Sequence, residues 1–265
     1  MASSKQDTLS NRQASLLALS QVLDALTPFS DHFVLIGGWA PYLLLQRYGR
    51  TNEHIGSADL DLVFNGPQIT PAVRDKILEA LTQIGCQPRM WDNNNQIPFP
   101  DSYLLPIKVG TRTVQVQIDV IGLHQKQSRK LASHYALALK RIENIEVRIN
   151  KKAVKVPVSG AAAVFAMKAM ALADRQAPKD AYDLYMISRY YKQGPLSLAT
   201  ELKPLLIGPP IRSATLYVRR WFSDKNARGP NAVVEFLLVD GSREEQEQLR
   251  EEVYLTIKAL LDALN

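Results

Sequence analysis

The pattern of apolar residues changes near residue 158, and this change limits the folds open to the chain. Before it, short apolar runs of strand type alternate with helical patterns, as at 58–64 and 112–122. After it, only helical patterns follow. We therefore predict an α+β protein, with a mixed β-sheet and flanking helices over residues 1–158 and a mostly α-helical C-terminal domain over residues 159–265.

The periodicity of the apolar residues and the residue types at helix ends predict the individual helices and strands. A proline in the first helical turn and a glycine past the last turn mark several helix ends, and Thr70 has the type and position of an N-cap. We predict a loop at 93–102 and a hairpin at 145–158 that turns near Asn150–Lys152. The predicted helices are 8–27, 39–49, 70–85, 159–175 and 178–194, and the predicted strands include 32–38, 58–64 and 112–122.

Three features of the sequence bear on the location of the protein. Cys86 is the only cysteine among the 265 residues, so an internal disulfide is impossible, which is consistent with a reducing compartment. No window reaches the roughly 18 uncharged apolar residues of a membrane span. The first 13 residues lack the apolar core of a signal peptide. We therefore expect a cytoplasmic protein that does not contact a membrane.

Positive charge is concentrated in two segments of this chain, whose net charge is +6. Residues 125–155 hold nine Lys or Arg against two Glu, a net charge of +7. Residues 212–228 hold five Lys or Arg against one Asp, with Tyr217, Trp221 and Phe222 between them. Such segments favour a polyanionic partner such as RNA or a nucleotide phosphate, and ordinary solvated surface is the alternative.

Two aspartates stand at the start of an apolar strand. Asp59 and Asp61 are two residues apart, so they project from the same face of that strand, where their like charges favour a bound cation. Asp119 ends the polar face of the strand predicted at 112–122. If the strands are neighbours, three carboxylates converge into an all-oxygen site suited to Mg²⁺. The alternative is a pair of aspartates that faces solvent.

Gly37 and Gly38 end a predicted strand immediately before a helix. Glycines there allow a phosphate to approach the backbone closely, and the first N–H groups of the helix point toward it. A tight turn is the other explanation. Together, the two glycines, Asp59, Asp61 and Asp119 resemble the signature of the DNA polymerase beta-like nucleotidyltransferase superfamily.

Two motifs in the predicted helical region point to one family within this superfamily. Lys168-Ala169-Met170-Ala171 and Asp180-Ala181-Tyr182-Asp183 look like the Lys-x-x-Ala and Asp-x-x-Asp motifs of AbiEii-type nucleotidyltransferases, the toxins of type IV toxin–antitoxin systems. The similar part spans roughly residues 33 to 187, and the last 75 or so residues match no motif.

The resemblance implies a role for each matching residue. Asp59, Asp61 and Asp119 would hold two Mg²⁺ ions, and Asp119 would also take the proton of the acceptor hydroxyl. Lys168 would contact the triphosphate of the NTP; the alternative is a helix lysine that extends to solvent.

Other residues would complete the NTP site. Gly37 and Gly38 would bind phosphate, and Ser57 would replace the hydroxyl that Trp39 lacks at the position where many relatives have Ser or Thr. Asp180 and Asp183 share a helix face, and would either position Lys168 or Arg175 or pair with Lys179.

The spacing departs from the family pattern near the first aspartate. Twenty residues separate Gly38 from Asp59, more than is usual, and we predict that the extra residues, around 48–55, form a loop over the site. His54 is predicted to be a surface residue of this loop, with a nucleotide contact as the alternative.

The sequence as a whole predicts a Mg²⁺-dependent enzyme that moves a nucleoside monophosphate from an NTP to an acceptor hydroxyl. The basic segments favour RNA as the acceptor, and the resemblance implies the 3′ end of a tRNA as that acceptor and an antitoxin protein as the partner. A protein or small-molecule acceptor is the rival within the enzyme class. A non-catalytic nucleotide- or RNA-binding module on the same scaffold is the rival outside it.

Overall fold

The computed structural model describes residues 5–50, 54–90, 98–124, 132–149, 152–238 and 240–265. They form two compact units. The first falls within Met1–Ala40, Ile55–Ala132 and Ala138–Ser159, and the second within Pro41–His54, Ser133–Leu137 and Gly160–Asn265. The α+β class is confirmed, with a mixed sheet in the first unit and a helical C-terminal region in the second.

The first unit is built on a mixed sheet whose strand order is β3-β4-β5-β2-β1-β7-β6. β2 is parallel to β5 and β1 is parallel to β7, whereas the other pairs are antiparallel. The strands are β1 (Phe33–Leu35), β2 (Leu60–Phe64), β3 (Gln87–Met90), β4 (Pro98–Val109), β5 (Arg112–Ile121), β6 (Ile142–Ile149) and β7 (Lys152–Ser159).

The centre of the sheet is buried because its strands are apolar. Leu60, Leu62, Val63 and Phe64 of β2 are all 0% exposed, so Asp61 is the one polar side chain of that strand. β5 alternates as predicted, with Val116, Ile118 and Val120 buried and the polar residues between them more exposed. The carboxylates of this region therefore lie against an apolar sheet.

Among the described residues, two helices lie wholly within the first unit, α1 (Lys5–Leu26) and α3 (Pro71–Gln83). Helix α1 contacts β4, β5 and α3. Its residues Ala14, Ala18, Val22 and Leu26 recur every four positions and are buried. At the start of α3, the Thr70 Oγ1 accepts a hydrogen bond from the Val73 N–H at 3.3 Å, which confirms the predicted N-cap.

The second unit is helical among its described residues. Helices α5 and α6 have long runs of buried residues, which are mostly apolar in α5 and include Asp180 and Asp183 in α6. Most of α2 and the start of α4 belong to this unit, and their remaining residues belong to the first. The helices are α2 (Trp39–Arg47), α4 (Ser133–Lys140), α5 (Ala161–Arg175), α6 (Pro178–Tyr190), α7 (Pro195–Leu202), α8 (Pro209–Trp221), α9 (Arg228–Leu237) and α10 (Arg243–Ala263).

One predicted element is wrong and another falls partly outside the described residues. The loop predicted at 93–102 is strand from Pro98 onward, since β4 pairs with β5 and β3 despite its prolines; positions 93–97 lie outside the described residues. The predicted hairpin is confirmed in its two arms, β6 and β7, whereas 150–151 at its turn also lie outside. No helix in the described ranges is both long and apolar enough to cross a membrane.

Candidate active site

The parallel pairing of β2 and β5 brings two of the predicted site residues together. Asp61 pairs in register with Asp119, between the pairs Leu60–Ile118 and Leu62–Val120. Neighbouring strands are about 4.8 Å apart, and paired residues project on the same face. Both carboxylates are half-buried. The condition stated for convergence, that the two strands are neighbours, is therefore met for Asp61 and Asp119.

Gly37 makes room for the Asp61 carboxylate. Its φ is +67°, and a Cβ placed there would lie 1.9 Å from Asp61 Oδ2, closer than any real contact. The backbone is also fixed here, since Ile36 N–H donates to the Asp61 carbonyl oxygen at 2.9 Å. A side chain at position 37 would therefore displace the Asp61 carboxylate, which gives this glycine a local role beyond the turn.

Asp59 stands one residue before β2 and is held by a neighbour in the chain. The Ser57 Oγ donates a hydrogen bond to Asp59 Oδ1 at 2.6 Å. Ser57 was predicted to contact phosphate in place of the hydroxyl missing at position 39. That contact stays a prediction, and in the structure the Ser57 hydroxyl orients a carboxylate.

Asp119 is oriented by side chains from its own strand and from β4. The Ser102 Oγ donates to Asp119 Oδ1 at 2.6 Å, and the Gln117 Nε2 lies 2.9 Å from Oδ2 and 3.1 Å from Oδ1. Arg89 Nη1 in turn donates to Gln117 Oε1 at 2.9 Å, which directs the amide N–H groups toward the aspartate. Sequence reasoning missed Ser102 because it placed residues 93–102 in a loop.

The donor set fits a hard divalent cation in its chemistry. Asp59, Asp61 and Asp119 offer only carboxylate oxygens, the ligands that Mg²⁺ prefers, and two of them are like charges on adjacent strands. Across the described ranges, however, no three His, Cys, Asp or Glu side chains lie close enough to form a preformed metal-binding group. The metal site therefore stays a prediction.

Gly38 and Trp39 complete the junction between β1 and α2. Gly38 is buried, and α2 begins at Trp39, so the predicted phosphate position lies at a helix N-terminus. Trp39 is 1% exposed, and its Nε1 donates to Ser15 Oγ at 3.3 Å. A Cβ at Gly56 would lie 2.9 Å from the Trp39 ring, so the backbone packs directly on the indole. Trp39 has a structural role here.

A second cluster of charged residues lies inside the helical unit. Lys168 of α5 is 7% exposed, and Asp180 and Asp183 of α6 are 0% exposed. Lys168 Nζ donates to Asp180 Oδ1 at 3.1 Å and forms an ion pair with Asp183 Oδ2 at 2.6 Å. The alternative in which Lys168 extends to solvent is therefore wrong, because its ammonium group is held between two buried carboxylates.

Each of these aspartates also pairs with a second positively charged side chain. Asp180 accepts a hydrogen bond from Arg175 Nε at 2.7 Å and another from Arg175 Nη2 at 2.9 Å. Asp183 Oδ1 accepts one from Lys179 Nζ at 2.6 Å. The alternatives considered for the two aspartates are thus realised together, since the pair holds Lys168 and binds Arg175 and Lys179 as well.

His54 is the main correction to the predicted site. It was predicted to be a surface loop residue, but it is 1% exposed, and its Nε2 lies 2.9 Å from Asp183 Oδ1. Its ring also packs against Tyr182, with centroids 5.1 Å apart. Positions 51–53 of the predicted loop lie outside the described residues. The segment 41–54 belongs to the helical unit, which is why its histidine is buried against α6.

Burial and charge act in opposite directions on this cluster. Burial raises the pKa of Asp183, but Lys168, Lys179 and the hydrogen bond from His54 outweigh it and hold that pKa well below its usual range. Burial lowers the pKa of His54 below 6.5, although Asp183 opposes the shift. Near neutral pH, Asp183 is therefore a carboxylate and His54 is neutral, so His54 donates its Nε2–H to Asp183.

The predicted site residues fall into two clusters, one in each unit. The carboxylate cluster comprises Asp59, Asp61 and Asp119 with Gly37, Gly38 and Ser57, all in the first unit. The lysine cluster comprises Lys168, Asp180, Asp183, His54, Arg175 and Lys179, all in the second.

Comparison with solved structures identifies the class of the fold. A Helicobacter pylori protein described as a "putative nucleotidyltransferase" superposes with a TM-score of 0.50 at 14% sequence identity, over 95% of this chain and 96% of that one. JHP933 from Helicobacter pylori gives a TM-score of 0.49 at 14% identity, over 99% and 95% of the two chains. The first likeness shows that the two chains share a fold.

Comparison with protein families identifies the group within this class. The model described as nucleotidyl transferase AbiEii toxin, type IV TA system, matches residues 21–208, which is more than half of the 265 residues. The chain belongs to the AbiEii nucleotidyltransferase toxin family and is an enzyme of the nucleotidyltransferase class. A search of curated proteins finds no significant match.

Proposed function

We propose that this nucleotidyltransferase moves a nucleoside monophosphate from an NTP to a hydroxyl of RNA, with the 3′ end of a tRNA as the acceptor. The observation that carries the proposal is the register pairing of Asp61 with Asp119, with the Asp61 carboxylate packed in the space that a side chain at Gly37 would fill. Two aligned carboxylates beside a glycine turn that precedes a helix N-terminus supply the ligands and the N–H groups that metal-assisted attack on a phosphorus atom uses.

Asp59, Asp61 and Asp119 are the residues that would hold Mg²⁺ in this proposal. The bound ions would activate the acceptor hydroxyl and neutralise charge on the leaving pyrophosphate. The acceptor oxygen forms a bond to the α-phosphorus while the bond to the pyrophosphate oxygen breaks, and Asp119 takes the hydroxyl proton. Ser102 and Gln117 support this role because they fix the direction in which the Asp119 carboxylate points.

Lys168 contributes a fixed positive charge for the triphosphate. Asp180 and Asp183 hold its ammonium group in place, and the low dielectric of the buried site keeps each ion pair strong. A lysine already oriented in this way loses little side-chain entropy when phosphate binds. Asp180 and Asp183 are therefore positioning residues for Lys168 in this proposal.

RNA is favoured over a protein or small-molecule acceptor by the distribution of charge. The described part of 125–155 and the whole of 212–228 are rich in Lys and Arg, and the second segment also carries exposed or half-exposed aromatic residues. Lysine and arginine supply phosphate contacts, and aromatic side chains supply stacking for unpaired bases.

Transfer of label to RNA tests the proposal. The protein is incubated with Mg²⁺, total RNA and each of the four α-³²P-labelled NTPs in turn, with Asp61→Asn as the matched variant. We expect ribonuclease-sensitive label at the size of tRNA with the unaltered protein only. Label that resists ribonuclease but not protease would replace RNA with a protein acceptor. If no acceptor is labelled and RNA still binds to Asp61→Asn, the protein is a binding module.

The family also implies toxicity and an antitoxin partner, which we include in the proposal. Expression of the chain alone should arrest growth, and Asp61→Asn expressed at the same level should not. Normal growth at confirmed expression of the active protein would contradict toxicity while leaving the transfer reaction intact.

A further inference from the structure

A cavity of about 280 Å³ lies in the helical unit, outside the lysine cluster. Its walls come from the end of α5, the start of α6, the end of α8, the loop after it and one side of α9. Small-molecule sites occupy roughly 300–1,000 Å³, so this cavity is of a size for one nucleobase or nucleoside. Its lining residues from α8 and α9 lie beyond residue 208, where the family match ends.

One wall of the cavity is an aromatic ring covered by a cation. Trp221 is half-buried at the end of α8, and the guanidinium carbon of Arg228 lies 4.9 Å from the centroid of its ring. Arg228 Nη2 also donates to Gln176 Oε1 at 2.8 Å, which limits the orientation of the guanidinium plane. A guanidinium group within cation–π distance of an indole ring offers flat cationic and aromatic surfaces on which unpaired bases stack.

The remaining walls carry groups that both donate and accept hydrogen bonds. Asn226 and Gln176 provide amides, and Glu235 provides a carboxylate. A phosphate offers only acceptor oxygens and negative charge, which Glu235 would repel. A base edge presents both donors and acceptors, including the amino groups that a carboxylate binds. The chemistry of the cavity therefore fits a base better than a phosphate.

The loop between α8 and α9 is held in shape before any ligand binds. Asn231 Nδ2 donates to the carbonyl oxygens of Asn226 and Ala227 at 2.7 and 3.0 Å, and its Oδ1 accepts from Arg250 Nε at 2.9 Å. Phe222 is 2% exposed, and it packs so closely on Gly229 that a Cβ there would lie 2.7 Å from its ring. The cavity is thus preorganised.

The surface of α8 leads toward this cavity with side chains suited to a nucleic-acid strand. Tyr217 is 38% exposed and precedes Trp221 by one helical turn. Arg220 is exposed and directly precedes Trp221, about 100° around the helix, whereas Arg212 is nine residues before Trp221 and lies on the opposite side of α8. Interleaved basic and aromatic groups are typical of surfaces that bind single-stranded nucleic acid.

We propose that the cavity between Trp221, Arg228 and Glu235 binds one unpaired base of the RNA acceptor, a site separate from both clusters described above. The proposal rests on the proposed function, because it takes RNA as the acceptor. The base stacks on the Arg228–Trp221 pair, and its edge bonds to Asn226, Gln176 and Glu235. A phosphate next to the base lies near Arg220, the exposed arginine that precedes Trp221.

Equilibrium binding of a short fluorescein-labelled single-stranded RNA of mixed sequence tests this site, with EDTA present and no NTP. Trp221→Ala should weaken binding about tenfold, as loss of one stacked base does, without changing the dependence on salt. Trp221→Phe keeps a stacking surface and should retain most of the affinity. The melting temperature of each variant shows whether it folds.

A matched charge control separates this site from general attraction to positive charge. Arg228→Gln and Arg12→Gln remove the same charge, the second from an exposed position on α1. We expect Arg228→Gln to weaken binding several-fold more than Arg12→Gln does. Equal losses in these two variants, or unaltered affinity in folded Trp221→Ala, would overturn the proposal. The proposal would also be overturned if folded Trp221→Ala kept its RNA affinity but lost binding to a protein, because the cavity would then serve a protein partner.

The two proposals fail in different ways. If the protein labels RNA but Trp221→Ala binds it like the unaltered protein, the base site is wrong and the proposed function stands. If RNA binding depends on Trp221 but no NTP labels RNA, the cavity binds an RNA base, and the proposed function is wrong because that RNA is not an acceptor. Asp61→Asn should bind the probe normally and transfer nothing.

Discussion

Asp61 of β2 and Asp119 of β5 are register neighbours on parallel strands, so two acidic side chains share one face at the centre of the sheet. This pairing predicts that a divalent cation stabilises the fold. At a Mg²⁺ concentration of about 100 times the dissociation constant, a ligand that binds only the folded state adds about 2.7 kcal/mol to the free energy of unfolding. Mg²⁺ should raise the melting temperature of the unaltered protein.

The shift with Mg²⁺ should depend on the carboxylates of this face. Asp119→Asn should abolish it, whereas Asp75→Asn at an exposed position on α3 should retain it. Thermal unfolding with and without Mg²⁺ measures both. An equal shift in all three proteins would show that Mg²⁺ binds elsewhere.

Gly37→Ala should abolish nucleotide transfer because it displaces the carboxylate of Asp61. A methyl group at residue 37 would meet Asp61 Oδ2, so the carboxylate must move, and a misplacement of about 1 Å can cost a hundredfold in rate. The matched control is Gly110→Ala, since Gly110 has a φ of +59° with no atom within 4 Å of its Cβ position. Both variants carry backbone strain of about 1–2 kcal/mol, but only Gly37→Ala should lose transfer. Comparable transfer rates in the two variants would contradict this account.

Lys168→Met should destabilise the helical unit. The substitution leaves Asp180 and Asp183 buried without the ammonium group that pairs with both. Breaking a buried ion pair lowers the free energy of unfolding by about 3–5 kcal/mol. The double variant Lys168→Met/Asp183→Asn should recover part of this loss, because it also removes a buried charge. Neither variant should transfer nucleotide. Urea unfolding gives the stabilities, and a Lys168→Met protein as stable as the unaltered one would refute the ion-pair role.

His54 should make stability depend on pH between its lowered folded pKa and the unfolded value of 6.5. In that window the unfolded chain binds a proton that the folded protein does not, so stability falls as pH falls below about 6.5. Asp183, whose folded pKa is depressed, adds its own loss only at far lower pH, as the pH passes from the unfolded toward the folded pKa.

The histidine contribution is isolated by a variant that cannot titrate. His54→Asn should show a smaller loss of free energy of unfolding between pH 7.5 and pH 5.5 than the unaltered protein, by urea unfolding at each pH. The same slope in both proteins would mean that another group is responsible.

Much of the fold could be predicted because the signals are local. The N-cap of α3, the alternation of β5 and the apolar run of β2 each depend on neighbours in the chain, and each is confirmed. β4 could not be recognised in the same way. Its prolines at 98 and 100 are typical of loops, and only the pairing of β4 with β5 and β3 overrides that preference.

The sequence indicated which residue types belong to the candidate site, but it indicated few of the contacts between them. The spacing of Asp59 and Asp61 indicated a shared face, but the register that pairs Asp61 with Asp119 depends on how distant segments align. His54 and Asp183 are 129 residues apart in sequence, and no pattern around His54 indicates its burial. Contacts of this kind are set by tertiary packing.

The most direct test of the central claim is the rate of nucleotide transfer in Asp61→Asn against Asp75→Asn, measured as label incorporated from α-³²P NTP with pyrophosphate release in parallel. Both variants remove one carboxylate charge, but only one removes it from the face that β2 shares with β5. We predict a loss of at least about a hundredfold in Asp61→Asn, comparable to removal of a group that stabilises transition-state charge, and none in Asp75→Asn. Transfer by folded Asp61→Asn at the rate of the unaltered protein would contradict the claim.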